Sequence, residues 1–134
     1  MREERRFLDT NVLLYLHSAD VSRADQAESL VRAGGVISVQ VLNELTSVLW
    51  RKFSYSWVEI DQFLNAMEQL LEVQPLTLDI HRQGRSLAAR YGFNPYDAMI
   101  VAAAQNSDCH TLYSEDMQNG MVVDSSLRII NPFV

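Results

Sequence analysis

The sequence predicts an α/β fold: a mainly parallel sheet of about five strands, flanked on both faces by helices. Three observations predict it. Short apolar runs alternate with longer stretches whose apolar residues recur at helical spacing. Gly34-Gly35, Pro75, Gly84, Gly92, Pro95, Gly120 and Pro132 punctuate the alternation. Several apolar runs also give way to an acid at the start of the next helix, or just inside it, beginning with Arg6-Phe7-Leu8-Asp9-Thr10-Asn11. Strands alternating with helices imply right-handed crossovers. Ligands of such sheets bind at the carboxyl ends of the strands.

Residues 7–9 read as the first strand and 12–16 as the start of a helix. Ser22, with Asp25 three residues on, resembles a capping box, and Gly34-Gly35 ends the helix it opens. Val36-Ile37 is a short buried strand. Ser38 caps a helix with Val41, Leu45, Val48 and Leu49 on one face. Ser56 and Glu59 form a capping box for a long helix whose stripe is Trp57, Ile60, Phe63, Leu64, Met67, Leu70 and Leu71.

Residues 73–76 form a strand that Pro75 places at a sheet edge. Residues 78–91 are helical, with Gly92 after the end. Asn94-Pro95 is a strong start signal, Asn as the cap and Pro in the first turn, for a helix through Asp97, Met99 and the alanines. Residues 110–113 are a strand ending in Ser114-Glu115-Asp116. Residues 127–130 are the last, stopped by Asn131-Pro132.

With 134 residues, 48% hydrophobic and 21% charged, the chain suits one globular domain over 1–134. No apolar run reaches the roughly 18 residues that span a membrane. The charged N-terminus lacks a signal-peptide apolar stretch. A single cysteine, Cys109, excludes an internal disulfide. A cytoplasmic protein is expected. The net charge of −6 argues against a general nucleic-acid binder. It leaves open an enzyme that gathers acids around a metal and uses a local arginine patch.

Four carboxylates fall near strand ends. Asp9 ends the first strand. Glu44 lies about two turns into the helix after the second, bordering its inward face. Asp97 is the third residue after the Asn94 cap, and Asp116 follows the fourth strand. In a parallel sheet these positions share one rim. Two like charges about 4 Å apart cost roughly 4 kcal/mol at an effective dielectric of 20. Oxygen-only clusters of this kind suit Mg²⁺ or Mn²⁺, and a cation so held can serve phosphodiester hydrolysis. Each acid alone has a plainer reading: Asp9 as a cap, Asp97 as a first-turn acid favoured by the helix dipole, Asp116 as a turn residue. Glu44 beside an apolar face is harder to explain structurally.

The sequence resembles a PIN domain, most closely the VapC-type bacterial toxins and their relatives. The resemblance rests on Phe7-Leu8-Asp9-Thr10-Asn11, on Ile37-Ser38 through Asn43-Glu44-Leu45, and on Tyr96-Asp97-Ala98-Met99-Ile100-Val101. Leu112-Tyr113-Ser114-Glu115-Asp116-Met117 and Arg128-Ile129-Ile130-Asn131-Pro132 follow in family order. It implies a PIN-like α/β/α sandwich and an acidic quartet of Asp9, Glu44, Asp97 and Asp116 binding Mg²⁺ or Mn²⁺. Asp9 and Asp97 would be direct ligands, with Glu44 and Asp116 completing the site directly or through water. Thr10, Asn11 and Ser114 match supporting polar positions. Asn94 stands where many relatives have Ser, an equal cap. The implied activity is a metal-dependent endoribonuclease with RNA as substrate, the toxin of a type II toxin–antitoxin pair, with an antitoxin and a second copy of the chain as partners. Two alternatives remain: a structure-selective DNA nuclease of the same fold, and a non-catalytic module whose acids hold an ion. A dehalogenase-type phosphatase would need an acid at position 11, which is Asn.

His17, His81 and His110 are scattered, and Cys109 reads as a small buried residue. Arg82, Arg85 and Arg90 read first as solvated helix surface, with RNA contact as the alternative. Trp50-Arg51-Lys52-Phe53-Ser54-Tyr55-Ser56-Trp57 joins two helices. Burial of most of its rings is the first expectation. The second is a partner surface, since aromatics with arginine anchor interfaces.

Overall fold

The computed structural model describes residues 4–134. Its six strands are β1 (Arg6–Leu8), β2 (Val36–Ser38), β3 (Glu72–Gln74), β4 (Thr111–Tyr113), β5 (Val122–Val123) and β6 (Leu127–Ile130). Between them lie α1 (Thr10–Leu14), α2 (Val21–Arg32), α3 (Val39–Arg51), α4 (Trp57–Leu70), α5 (Leu78–Tyr91) and α6 (Pro95–Asn106). The architecture is the expected PIN-like α/β/α arrangement, with six strands where about five were expected. The missed strand is β5, two residues that turn back antiparallel on β6 (Val123 opposite Leu127). So short a run carries no periodicity to read.

The sheet order is β3-β2-β1-β4-β6-β5, parallel except for β5. From β1 the chain steps outward to β2 and β3, then returns to lay β4 on the other side of β1. The connections therefore leave β1 and β4 in opposite directions. A crevice opens at their carboxyl ends, the switch point of an open α/β sheet. Pro75 follows edge strand β3, as expected of a residue that cannot donate to a ladder.

The core is built on the strands. Phe7, Ile37, Leu112, Leu127 and Ile129 are wholly buried, each contributing about 1.5–3 kcal/mol. Helix α6 is buried at every residue from 98 to 104. Its alanines let it sit close to its neighbours. Gly84 of α5 lies against it: a methyl there would stand 2.5 Å from Met99 Sδ and 3.3 Å from Met99 Cα.

Several caps agree with the sequence. Ser56 and Glu59 form the reciprocal capping box of α4, and the Asn94 side chain accepts from Tyr96 N with Pro95 in the first turn. Two do not. Helix α2 is capped by Asp20, whose carboxylate accepts from Arg23 N, rather than by Ser22. A carboxylate two residues earlier outcompetes the hydroxyl. Ser38 occupies the N-cap of α3, but its hydroxyl caps nothing and is buried without a partner. The aromatic junction also departs from expectation. Trp50, Phe53 and Trp57 are 54%, 39% and 55% exposed, and the two indoles stack on each other. Leu45 and Leu49 already fill the inward face of α3, which leaves these rings to solvent.

Candidate active site

Asp9 follows β1 directly and caps α1 in an extended conformation (φ −75°, ψ 161°). Its Oδ1 accepts from Thr10 N at 2.7 Å. Its Oδ2 accepts from the Ser114 hydroxyl at 2.8 Å and, more weakly, from Asn11 Nδ2 at 3.4 Å. Only 2% of the residue is exposed. Ser114 reaches it because β1 and β4 are neighbours in register, Leu8 opposite Tyr113.

Glu44, on α3, is held on both oxygens: Thr10 Oγ1 donates to one at 2.6 Å and Gln40 Nε2 to the other at 3.0 Å. Thr10 thus links the first two acids, presenting its amide to Asp9 and its hydroxyl to Glu44. Asp97 lies in the first turn of α6, where the helix dipole favours negative charge. Asp116 is exposed on the loop after β4. Asn11 ties that loop down by accepting from Glu115 N at 3.1 Å. Glu115 in turn accepts from the Tyr15 hydroxyl and from Arg23, both at 2.7 Å.

Asp9, Thr10, Asn11, Glu44, Asp97 and Asp116 line one hollow of about 330 Å³ with Leu14, Ser47, Val48, Arg51 and Lys52. Ser114 is wholly buried behind Asp9. A second hollow of about 260 Å³ shares Asp97 and Asp116 and continues past them to Tyr91, Phe93, Met117 and Met121. The acids therefore stand partway along an open trough. A larger hollow, about 460 Å³, lies at the opposite, amino-terminal ends of the strands. Its Arg5 and Glu72 neutralise each other at 2.6 Å, leaving no group there poised for chemistry.

The electrostatics fit four acids sharing a site. Burial pushes the Asp9 carboxyl up to about 7. The bonds from Ser114 and Thr10 oppose that shift, while the charges of Asp97 and Glu44 add to it. Asp97 is raised by burial first, then by Glu44 and Asp116. Such crowding is relieved by a cation. The donor set is oxygen-only, as a hard divalent ion prefers. Among the described residues no group of three or more His, Cys, Asp or Glu side chains stands close enough together to hold a metal ion. Mg²⁺ keeps several waters and takes only one or two carboxylates directly, so binding it does not require such a group.

Three participants escaped the sequence reading. Gln40 is four residues before Glu44, a pairing that helical spacing makes readable. Arg51 lies two full turns beyond Glu44 and Lys52 one residue further, and the 44, 47, 48, 51 periodicity would have put Arg51 on the acid's face. Of the other candidates, Cys109 is buried, which pushes its thiol up to about 11 and leaves it inert. Arg90 is paired with Asp124 at 3.0 Å.

The PIN domain pattern matches residues 6–118. No curated protein sequence matches the chain. Among solved structures, the chain is similar to VapC20 of Mycobacterium tuberculosis, a sarcin-ricin loop cleaving toxin. The TM-score is 0.69 at 20% identity, covering 83% of this chain and 89% of that one. A toxin–antitoxin complex from Klebsiella pneumoniae gives 0.71 at 18% identity, over 96% and 98%. VapBC2 from Rickettsia felis, bound to a DNA fragment from its promoter, gives 0.65 at 18%, over 94% and 98%. At these identities the likeness is one of fold.

Proposed function

The chain belongs to the PIN domain family, and from that premise we propose that it is a metal-dependent endoribonuclease, the toxin of a type II toxin–antitoxin pair. The observation that carries the reading is the meeting of Asp9, Glu44, Asp97 and Asp116 in one hollow at the sheet's switch point. The toxin role is supported by the fold shared with VapC20 and with the Klebsiella complex. A trough open on both sides of the acids favours cutting within a strand over trimming its end.

In this reading Asp9 and Asp97 hold Mg²⁺ or Mn²⁺, and Glu44 and Asp116 complete the site. Bound there, the ion supplies charge neutralisation at the phosphate and acidifies a water. The chain's own residues do the rest. Ser114 and the Thr10 amide keep the buried Asp9 carboxylate aimed and resist its protonation. Thr10 and Gln40 fix both oxygens of Glu44. Asp116, exposed to solvent, orients the water that adds across the P–O bond. The protein acts as one nuclease unit over residues 1–134, in the cytoplasm. Its protein partners are an antitoxin and a second copy of the chain, and the exposed Trp50, Phe53 and Trp57 are the surface offered to them.

Purified protein, freed of any copurified partner, is given mixed cellular RNA and, separately, flapped DNA, each with Mg²⁺, Mn²⁺ or EDTA. Discrete RNA fragments that disappear with EDTA support the proposal. Cleavage of the DNA alone would move the substrate to DNA. Mn²⁺ binding by calorimetry without turnover of either would make the acids an ion-holding site and end the enzymatic reading.

A further inference from the structure

The trough is chemically one-sided. Its α3 side carries Arg51 and Lys52, whereas the hollow beyond Asp97 and Asp116 is lined by no lysine or arginine. Glu44, Ser47, Val48 and Arg51 follow the i, i+3, i+4, i+7 spacing of one helix face, so the cations and the acid share a wall. Along the helix axis Arg51 stands about 10 Å from Glu44.

These two cations are also unspent. Arg5, Arg23, Arg32 and Arg90 each pair with a carboxylate. Among the described residues neither Arg51 nor Lys52 forms an ion pair, although acids line the same hollow. Arg51 makes one side-chain hydrogen bond, from Nε to Ser47 Oγ at 3.0 Å. That bond steadies the stem and leaves the two terminal nitrogens of the guanidinium free, the fork that takes two phosphate oxygens at once. In a chain of net charge −6, a phosphate strand approaching four carboxylates needs a local positive hold.

We propose that Arg51 and Lys52 grip the RNA backbone at a phosphate neighbouring the scissile one, anchoring the strand on the α3 side of the acids. They are positioning residues, and this rests on the reading of the chain as a ribonuclease. Because the hold is equal in ground and transition states, its loss raises KM and leaves kcat nearly unchanged.

The test compares the wild-type chain, Arg51→Ala/Lys52→Ala and Arg51→Lys, each in an Asp97→Asn background that blocks cleavage. The probe is a short fluorescent mixed-sequence single-stranded RNA, titrated at several salt concentrations. Each lost phosphate contact on a single strand flattens the slope of log affinity against log salt by about 0.7, so the double variant should be shallower by about 1.4. It should bind at least about tenfold more weakly at low salt, while Arg51→Lys keeps the slope. With Asp97 intact, the double variant should bind Mn²⁺ as the wild type does and show the raised KM. Wild-type RNA binding with an unchanged slope in the double variant overturns the inference alone. If that variant instead loses a copurifying acidic protein, the pair belongs to a protein interface and the inference is equally overturned. No RNA binding by any form overturns both this inference and the ribonuclease reading.

Discussion

The Ser114 hydroxyl donates to the Asp9 carboxylate at 2.8 Å, although 105 positions separate the two in the chain. The contact exists because β4 is laid beside β1 by the return crossover. It opposes the burial that drives Asp9 toward its neutral form. Ser114→Ala should therefore move the Asp9 carboxyl further up from about 7. Mn²⁺ binding measured by calorimetry should weaken clearly at pH 7 and recover toward pH 8.5. Equal loss at both pH values would mean that Ser114 acts only through packing.

The acid cluster should cost the metal-free protein stability. The Asp9 carboxyl stands at about 7 when folded, against 3.8 ordinarily. Between these values the folded state binds more protons than the unfolded, so stability falls as pH rises through the window and stays low above it. The size is a few kcal/mol. In EDTA the melting temperature should be higher at pH 5 than at pH 8. Asp9→Asn should remove most of that difference, and Mg²⁺ should raise the wild-type value at pH 8 by mass action.

His17 should act in the opposite direction. Its ring packs edge-on against Phe53, Tyr55 and Phe63. Nδ1 meets the Tyr55 hydroxyl at 3.0 Å, while Nε2 is buried with no partner. Burial lowers its pKa below the ordinary 6.5. The folded state then binds fewer protons than the unfolded, so this contribution is lost as pH falls through 6.5 and below. His17→Phe should flatten the acid side of the stability profile while losing one hydrogen bond worth about 1 kcal/mol. An unchanged acid side, read by thermal unfolding from pH 7 to pH 5, would assign the effect elsewhere.

Much of the fold was legible because its signals are local. The capping box of Ser56 and Glu59, the Asn94-Pro95 start and the Gly92 stop each act within one turn, and all three are in the structure. Long-range consequences were not legible. The exposure of Trp50 and Trp57 depends on what α3 already buries elsewhere, and an apolar residue count cannot show that. The acids could be placed on a rim from strand ends alone. The Thr10 bridge between Asp9 and Glu44 depends on how α1 and α3 are set against each other.

Gly84→Ala probes the packing that seats α6, and with it Asp97. Alanine gains about 1 kcal/mol of helix propensity. Its methyl would meet Met99 Sδ at 2.5 Å and the Met99 backbone at 3.3 Å. Overpacking of this kind costs about 1–3 kcal/mol, so a net loss near 1 kcal/mol is expected, read as a melting temperature lower by about 4 °C. A higher melting temperature would show that Met99 moves aside freely.

The most direct test of the central claim is cleavage of cellular RNA by the wild type and by Asp97→Asn, side by side in Mg²⁺, with folding confirmed by circular dichroism. Asp97 contributes charge at the shared end of both hollows. The account predicts discrete internal fragments from the wild type and a rate at least about a hundredfold lower from the folded variant. Equal cleavage by both proteins would contradict a catalytic centre built on these four acids.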